Sequence, residues 1–171
     1  MKKLSIIAIT LMIGTSMAFA SSLAIPWFSD NAQVANGIPG AKNGVTSLIT
    51  LKSNVTTTLV CSIAYYNAAG DALGPLAPDN TFTVAPLSAM AFRPVANDPG
   101  TTPGGQEGAQ GVLVPDRPRD VDTKKNGSAV IEWVGGDKDV QGQVAYFQTA
   151  SDVTTGAPVT MSYAHLLPPG V

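Results

Sequence analysis

Cysteine, histidine and charge are all scarce in this chain, and each shortage closes off a class of function. Of 171 residues one is cysteine, Cys61, and one is histidine, His165. No disulfide can form within the chain, and any metal site built on two histidines is excluded. Stability has to come from packing or from assembly. Charged residues make up 13% of the sequence, and the densest basic patch (Arg117, Arg119, Lys124, Lys125) is interleaved with Asp116, Asp120 and Asp122. A nucleic-acid partner needs clustered Lys and Arg to displace counterions, so none is expected. Apolar residues at helical spacing are missing after the first twenty positions, and no later apolar run is long enough for a membrane span.

What is present begins at the N-terminus. Lys2 and Lys3 precede an apolar run, Leu4 to Ile13, that leads to Ala18-Phe19-Ala20. This is the three-part layout of a secretory signal peptide over residues 1–20, cut before Ser21, and it predicts a periplasmic or extracellular protein. With Lys2 and Lys3 removed, eight Lys plus Arg face twelve Asp plus Glu, a net charge of −4. The remainder is long enough for one domain with a real core.

Past residue 44 the period is two. Ser47, Ile49 and Leu51 alternate with Leu48, Thr50 and Lys52, and Leu59, Cys61, Ile63 and Tyr65 alternate with Val60, Ser62, Ala64 and Tyr66. Such alternation, rich in β-branched and aromatic residues, reads as strands, and Ser53 to Thr56 between them reads as a hairpin turn. Phe82 with Val84, and Met90 with Phe92, continue the pattern; Ser128 to Val134, Val140 to Thr149 and Val159 to Leu167 resume it. Residues 94–127, with eleven Pro plus Gly, read as a long extended loop or a partly disordered one. The expected fold is all-β: a single antiparallel Ig-like β-sandwich of about seven strands over residues 45–171, with that loop inside it. Residues 21–44, containing Pro26, Trp27 and Phe28, are expected to form an irregular N-terminal arm, either an edge strand on its own sandwich or a segment that reaches a neighbour.

Candidate chemistry is thin. His165 ends the stripe Val159, Met161, Tyr163, His165, Leu167, and without a G-x-S-x-G elbow it reads as a packed histidine and not as part of a triad. Cys61, mid-strand, reads as a small buried hydrophobe. Glycines 100, 104, 105, 108 and 111 lack the Lys-Ser/Thr of a phosphate loop. Asp116, Asp120, Asp122, Asp137 and Asp139 are the only candidate Ca²⁺ ligands, and their spacing fits no loop signature; a salt-bridged loop is the preferred reading. No cofactor is expected and no catalytic residue stands out. Trp27 and Phe28 are the candidate interaction residues, since most other rings are wanted for the core.

The order of Ile25-Pro26-Trp27-Phe28, Ile63-Ala64-Tyr65-Tyr66-Asn67, the strand-Ala-Pro-strand-Arg segment Thr81 to Arg93, and Gly127 to Glu132 leading to Val140 to Val144 resembles the layout of the sensory rhodopsin transducer-like family and of secreted bacterial β-sandwiches. That resemblance implies a small β-sandwich that forms homo-oligomers and acts by binding. Between Asn43 and Phe92 the only charges are Lys52, Asp71 and Asp79, so the outer strand faces lack the residues that keep sheets solitary. The expected function is therefore a secreted, non-enzymatic structural or interaction protein, self-associating as a surface or matrix component. The alternative is a module that binds a glycan, a cell-surface partner or a small ligand through the long loop and nearby rings.

Overall fold

The computed structural model describes residues 20–29, 44–94, 114–115, 117, 126–151 and 154–170. They form eight strands: β1 (Ala20–Ser29), β2 (Gly44–Ser53), β3 (Leu59–Tyr66), β4 (Thr81–Val84), β5 (Ala89–Phe92), β6 (Asn126–Val134), β7 (Val140–Ser151) and β8 (Pro158–Leu166). No described residue is helical. Two four-stranded antiparallel sheets result, ordered β1-β6-β3-β4 and β5-β2-β7-β8.

The period-two pattern explains what lies between them. Leu59, Cys61, Ile63 and Tyr65 of β3 are buried while Val60 is exposed, and Ala129, Ile131 and Trp133 of β6 are buried opposite an exposed Glu132. Sheet two contributes Ile49, Leu51, Met90, Phe92, Val144 and Tyr146 to the same cluster. At about 25 cal/mol per Å² of apolar surface, this shared core is the main stabilising term. Trp133 sits in it at 2% exposure and donates its indole N–H to the Gly136 carbonyl at 3.1 Å. Gly142 marks the tightest approach: a Cβ there would stand 2.7 Å from Leu167 Cδ1 and 2.9 Å from Leu23 Cδ1.

Three expectations change. The count rises from about seven strands to eight, because Ala20–Ser29 is a ten-residue strand paired with β6 from Ala20↔Val134 to Ser29↔Asn126. The irregular arm is thus a strand of its own sandwich over those residues; residues 30–43 lie outside the described ones. Second, β2 and β3 do not form a hairpin. They belong to opposite sheets, and Asn54 to Thr58 carries the chain across, held where the Asn54 N–H donates to the Asp139 carbonyl at 2.8 Å. Third, the sandwich does not follow the immunoglobulin order A-B-E-D with C-F-G. There the fourth and fifth strands pair, whereas here β4 and β5 lie in different sheets and, among the described residues, β5 pairs with β2 alone. Pro86 and Leu87, the latter at φ 54°, turn the chain between them.

Side-chain and terminal contacts lock the sheets together. Ser47 of β2, fully buried, donates to the Ser29 carbonyl at 2.8 Å and accepts from the Ser29 N–H at 3.0 Å. After β8 the chain leaves sheet two and runs along the free side of β1: the Ala24 N–H donates to the Pro168 carbonyl and the Gly170 N–H to the Ser22 carbonyl, both at 2.9 Å. Replacing Trp133 by Ala should destabilise the fold by about 3–5 kcal/mol, the cost of an aromatic cavity in a packed core. Urea denaturation of the variant checks this; a loss under about 0.5 kcal/mol would mean a surface position.

Candidate functional site

The four sheet edges differ, and the difference locates the candidate site. An edge strand exposes unpaired N–H and C=O groups that template pairing with another chain, so stable monomers shorten, charge or cover their edges. β4 and β5 are four residues each. The β1 edge is covered by the C-terminal segment through the Leu23↔Pro169 bridge and its flanking hydrogen bonds. Among the described residues β8 has none of these protections: it spans nine residues, bonds to β7 on one side only, and contains no Lys, Arg, Asp or Glu.

Both faces of β8 are open. Val159, Met161, Tyr163 and His165 point the same way as Val144 and Tyr146, toward the core side, yet Met161 is 62% and Tyr163 65% exposed. Sheet one does not extend over them. Thr160, Ser162, Ala164 and Leu166 on the other face are exposed as well. The stripe expected to pack as core is therefore an uncovered overhang, and only Leu167 turns in, burying itself beside Gly142.

The overhang is ordered by aromatic contacts. Tyr146 stacks on Tyr163 with ring centroids 4.7 Å apart and planes 22° apart, and His165 lies over Tyr146 at 5.8 Å and 25°. The Tyr146 hydroxyl donates to the Trp27 carbonyl, tying the overhang to β1. Burial, then the neighbouring Tyr163, pushes the Tyr146 phenol above its ordinary 10.0. His165 has this ring contact but is otherwise exposed, so the packing expected of it reduces to one ring face on Tyr146.

Trp27 and Phe28 part company. The β1–β6 register shifts between Ile25 and Phe28, and such a bulge, at a Pro26 that has no N–H to give, re-aims the side chains that follow. Trp27 ends 45% exposed, while Phe28 is fully buried, edge-on to Tyr65 at 6.2 Å with the Arg117 guanidinium 5.8 Å from its ring. Of the two candidate contact residues only Trp27 can meet a partner; Phe28 serves this chain's own core.

The acidic candidates do not converge either. Asp137 accepts from the Ser21 hydroxyl at 2.8 Å, and Asp139 accepts from the Gly136 N–H at 2.7 Å, so both carboxylates organise the β6–β7 turn. Asp116, Asp120 and Asp122 lie outside the described residues, and no group of three or more metal-ligating side chains occurs among the described ones. Cys61 is buried opposite Trp133 and Phe82. No described helix is long and apolar enough to cross a membrane.

The open edge was not read from the sequence, although one signal was available. From Val140 to Val171 the only charge is Asp152, so neither strand of this hairpin has the lysine or glutamate that commonly guards an edge.

No protein-family model and no curated protein matches the chain. Among solved structures it is similar to Thermotoga maritima 1070, a crystal structure, with a TM-score of 0.51 over 86% of this chain and 92% of that one. Identity between the two is 9%, so the likeness concerns fold alone.

Burial raises the Cys61 thiol from 9.0 to about 11. Above pH 9.0 the unfolded chain loses this proton while the folded chain keeps it, so stability should fall as pH climbs from 9.0 toward about 11. Denaturant titrations across that window, repeated on Cys61→Ala, should show a shallower decline in the variant. An identical slope would place the thiol in contact with solvent.

Proposed function

We propose that the chain is an exported, non-catalytic structural or interaction protein that self-associates, as a subunit of a surface or extracellular matrix assembly does. The observation that carries this reading is the β8 edge: nine residues without Lys, Arg, Asp or Glu, with no partner on one side among the described residues and apolar groups exposed on both faces. Leaving such an edge bare is costly in aggregation, so its retention in an otherwise sealed sandwich supports a partner that covers it. Non-catalysis draws support from His165 and Cys61, the two residues best suited to nucleophilic chemistry. One faces a tyrosine ring and the other is buried in apolar surroundings that hold its thiol protonated.

Export rests on the leader-like residues 1–20, and the fold is compatible with cleavage there. β1 starts at Ala20, and Ser21 is already buried and bonded to the β6–β7 turn. Cutting before Ser21 leaves every bonded side chain of that strand in the mature protein.

A second reading, binding of a carbohydrate or small ligand, is favoured by the exposed ring of Tyr163 backed by Tyr146 and by the exposed Trp27. Rings held face-out on a strand suit sugar stacking. The two readings separate on one preparation. Intact mass of the exported protein should begin at Ser21, and light scattering at high micromolar concentration should give at least twice the mass of one chain. A monomer would remove the structural reading and leave ligand binding as the leading one; retention of Met1 would remove export.

A further inference from the structure

We propose that two copies of the chain pair antiparallel along β8, about a two-fold axis at Ser162, and so join two four-stranded sheets into one of eight strands. This rests on the self-association proposed above and adds the edge, the direction and the register. It follows from the backbone. In an antiparallel ladder, residues alternate between those that bond to the neighbouring strand and those that point away from it. Leu167 N–H donates to the Gly142 carbonyl at 2.8 Å, so counting back, His165, Tyr163, Met161 and Val159 face β7. Thr160, Ser162, Ala164 and Leu166 then turn their N–H and C=O groups to the open side. The other side of β7 agrees: Gln143, opposite Leu166, directs its carbonyl toward β2, where Thr50 Oγ1 lies 3.4 Å away.

Those outward positions fix the registers available to a two-fold pair. Centred on Ser162, the middle of Pro158–Leu166, the pairing uses the whole strand. Ser162 meets Ser162 of the second copy, Thr160 meets Ala164, and the Leu166 N–H meets the carbonyl of Pro158. The missing N–H of Pro158 falls at the end of the ladder. On the core-side face the same register sets Met161 against Tyr163 and Val159 against His165, giving each exposed thioether an aromatic ring. A shift of one pair to either side shortens the overlap and sets Met161 on Met161 or Tyr163 on Tyr163, whose ring face is already taken by Tyr146.

Charge and the other edges select a second copy as the occupant. β8 has no Lys, Arg, Asp or Glu, so two copies meet without like charges opposed. The remaining edges are four residues long or covered by the C-terminal segment. β8 of one molecule therefore finds a matching edge only in β8 of another. An interface of this kind is isologous and closes at two subunits, so this edge makes the dimer and a larger assembly would be built from dimers through a second surface.

The test is Ser162→Cys in the full exported chain under mild oxidation. A bonded antiparallel pair holds its Cα atoms about 5.5 Å apart, inside the disulfide range of about 4.4–6.8 Å, and the native Cys61 is buried. A covalent dimer is expected on a non-reducing gel. Thr160→Cys alone should stay monomeric on that gel, since the two copies of residue 160 stand about 13 Å apart at ~3.3 Å per residue. Mixed with Ala164→Cys it should yield a cross-linked heterodimer. Ser162→Lys should lose the dimer in light scattering while its circular dichroism stays that of the folded parent and its melting temperature no longer rises with protein concentration. If Ser162→Cys fails to cross-link while the parent still scatters as a dimer, this edge and register are wrong and self-association stands. A monomeric parent removes both. Equal cross-linking of Ser162→Cys and Thr160→Cys means random collision and also overturns the proposal, as does a folded Ser162→Lys that remains dimeric.

Discussion

Every backbone N–H and C=O in a sheet needs a partner, and a two-sheet sandwich has four strand edges at which that requirement fails. This constraint organises the molecule more than any single side chain does. The core explains why the sheets face each other; it does not explain why they end where they do. β4 and β5 end their sheets by being short. β1 ends its sheet by accepting the chain's own last residues, Pro168 and Gly170, as a partial fifth strand. Among the described residues nothing covers β8 at the end of the second sheet.

These solutions are linked through the C-terminal segment. For Pro168–Gly170 to seal β1, the chain must leave sheet two directly after Leu166, and Leu167 must drop into the core at the notch that Gly142 provides. The segment can serve only one edge. Sealing sheet one therefore fixes β8 as the outermost strand of sheet two, and its inward face runs past the end of the opposing sheet. The stack of Tyr146, Tyr163 and His165 keeps that overhang in strand form, with the Tyr146 hydroxyl anchored on the Trp27 carbonyl. An ordered edge is a better template than a frayed one, because less conformational entropy remains to be lost on pairing.

Much of the fold was legible because burial on one face produces alternation. The strands around Cys61 and Ile131 follow it residue by residue, as does β7 from Val140 to Tyr146, and Phe82, Phe92, Ile131 and Trp133 are buried as alternation requires. β1 was not legible for a physical reason. Its bulge at Pro26-Trp27 flips the parity, so Ser21, Leu23 and Ile25 are buried on odd positions and Phe28 on an even one, and no single period describes the segment. The β2–β3 connection misled because turn residues mark a change of direction without saying whether the chain returns to the same sheet or crosses to the other. The open edge failed differently: alternation along Val159 to His165 identifies which side chains share a face, but whether another sheet lies over that face depends on the width of the opposing sheet. Strand order is set by long-range pairing that a local pattern does not encode.

The scarcity of charge, read at first as a general invitation to neighbours, acquires a location in the folded protein. On sheet one the exposed outer face has Glu132, and its free β1 edge is closed. On sheet two Lys52 is engaged with the Leu87 carbonyl at 2.9 Å, and nothing charged lies farther out along β8. The least charged part of the surface thus coincides with the only long unpaired edge among the described residues. In a monomer, neutrality there would be a hazard, since the common defence of an exposed edge is a lysine that makes pairing unfavourable. Where the pairing itself is the purpose, the same lysine would place two ammonium groups at a two-fold axis, and a strand of Thr, Ser and Ala on one face with Val, Met and Tyr on the other meets the requirement that replaces it.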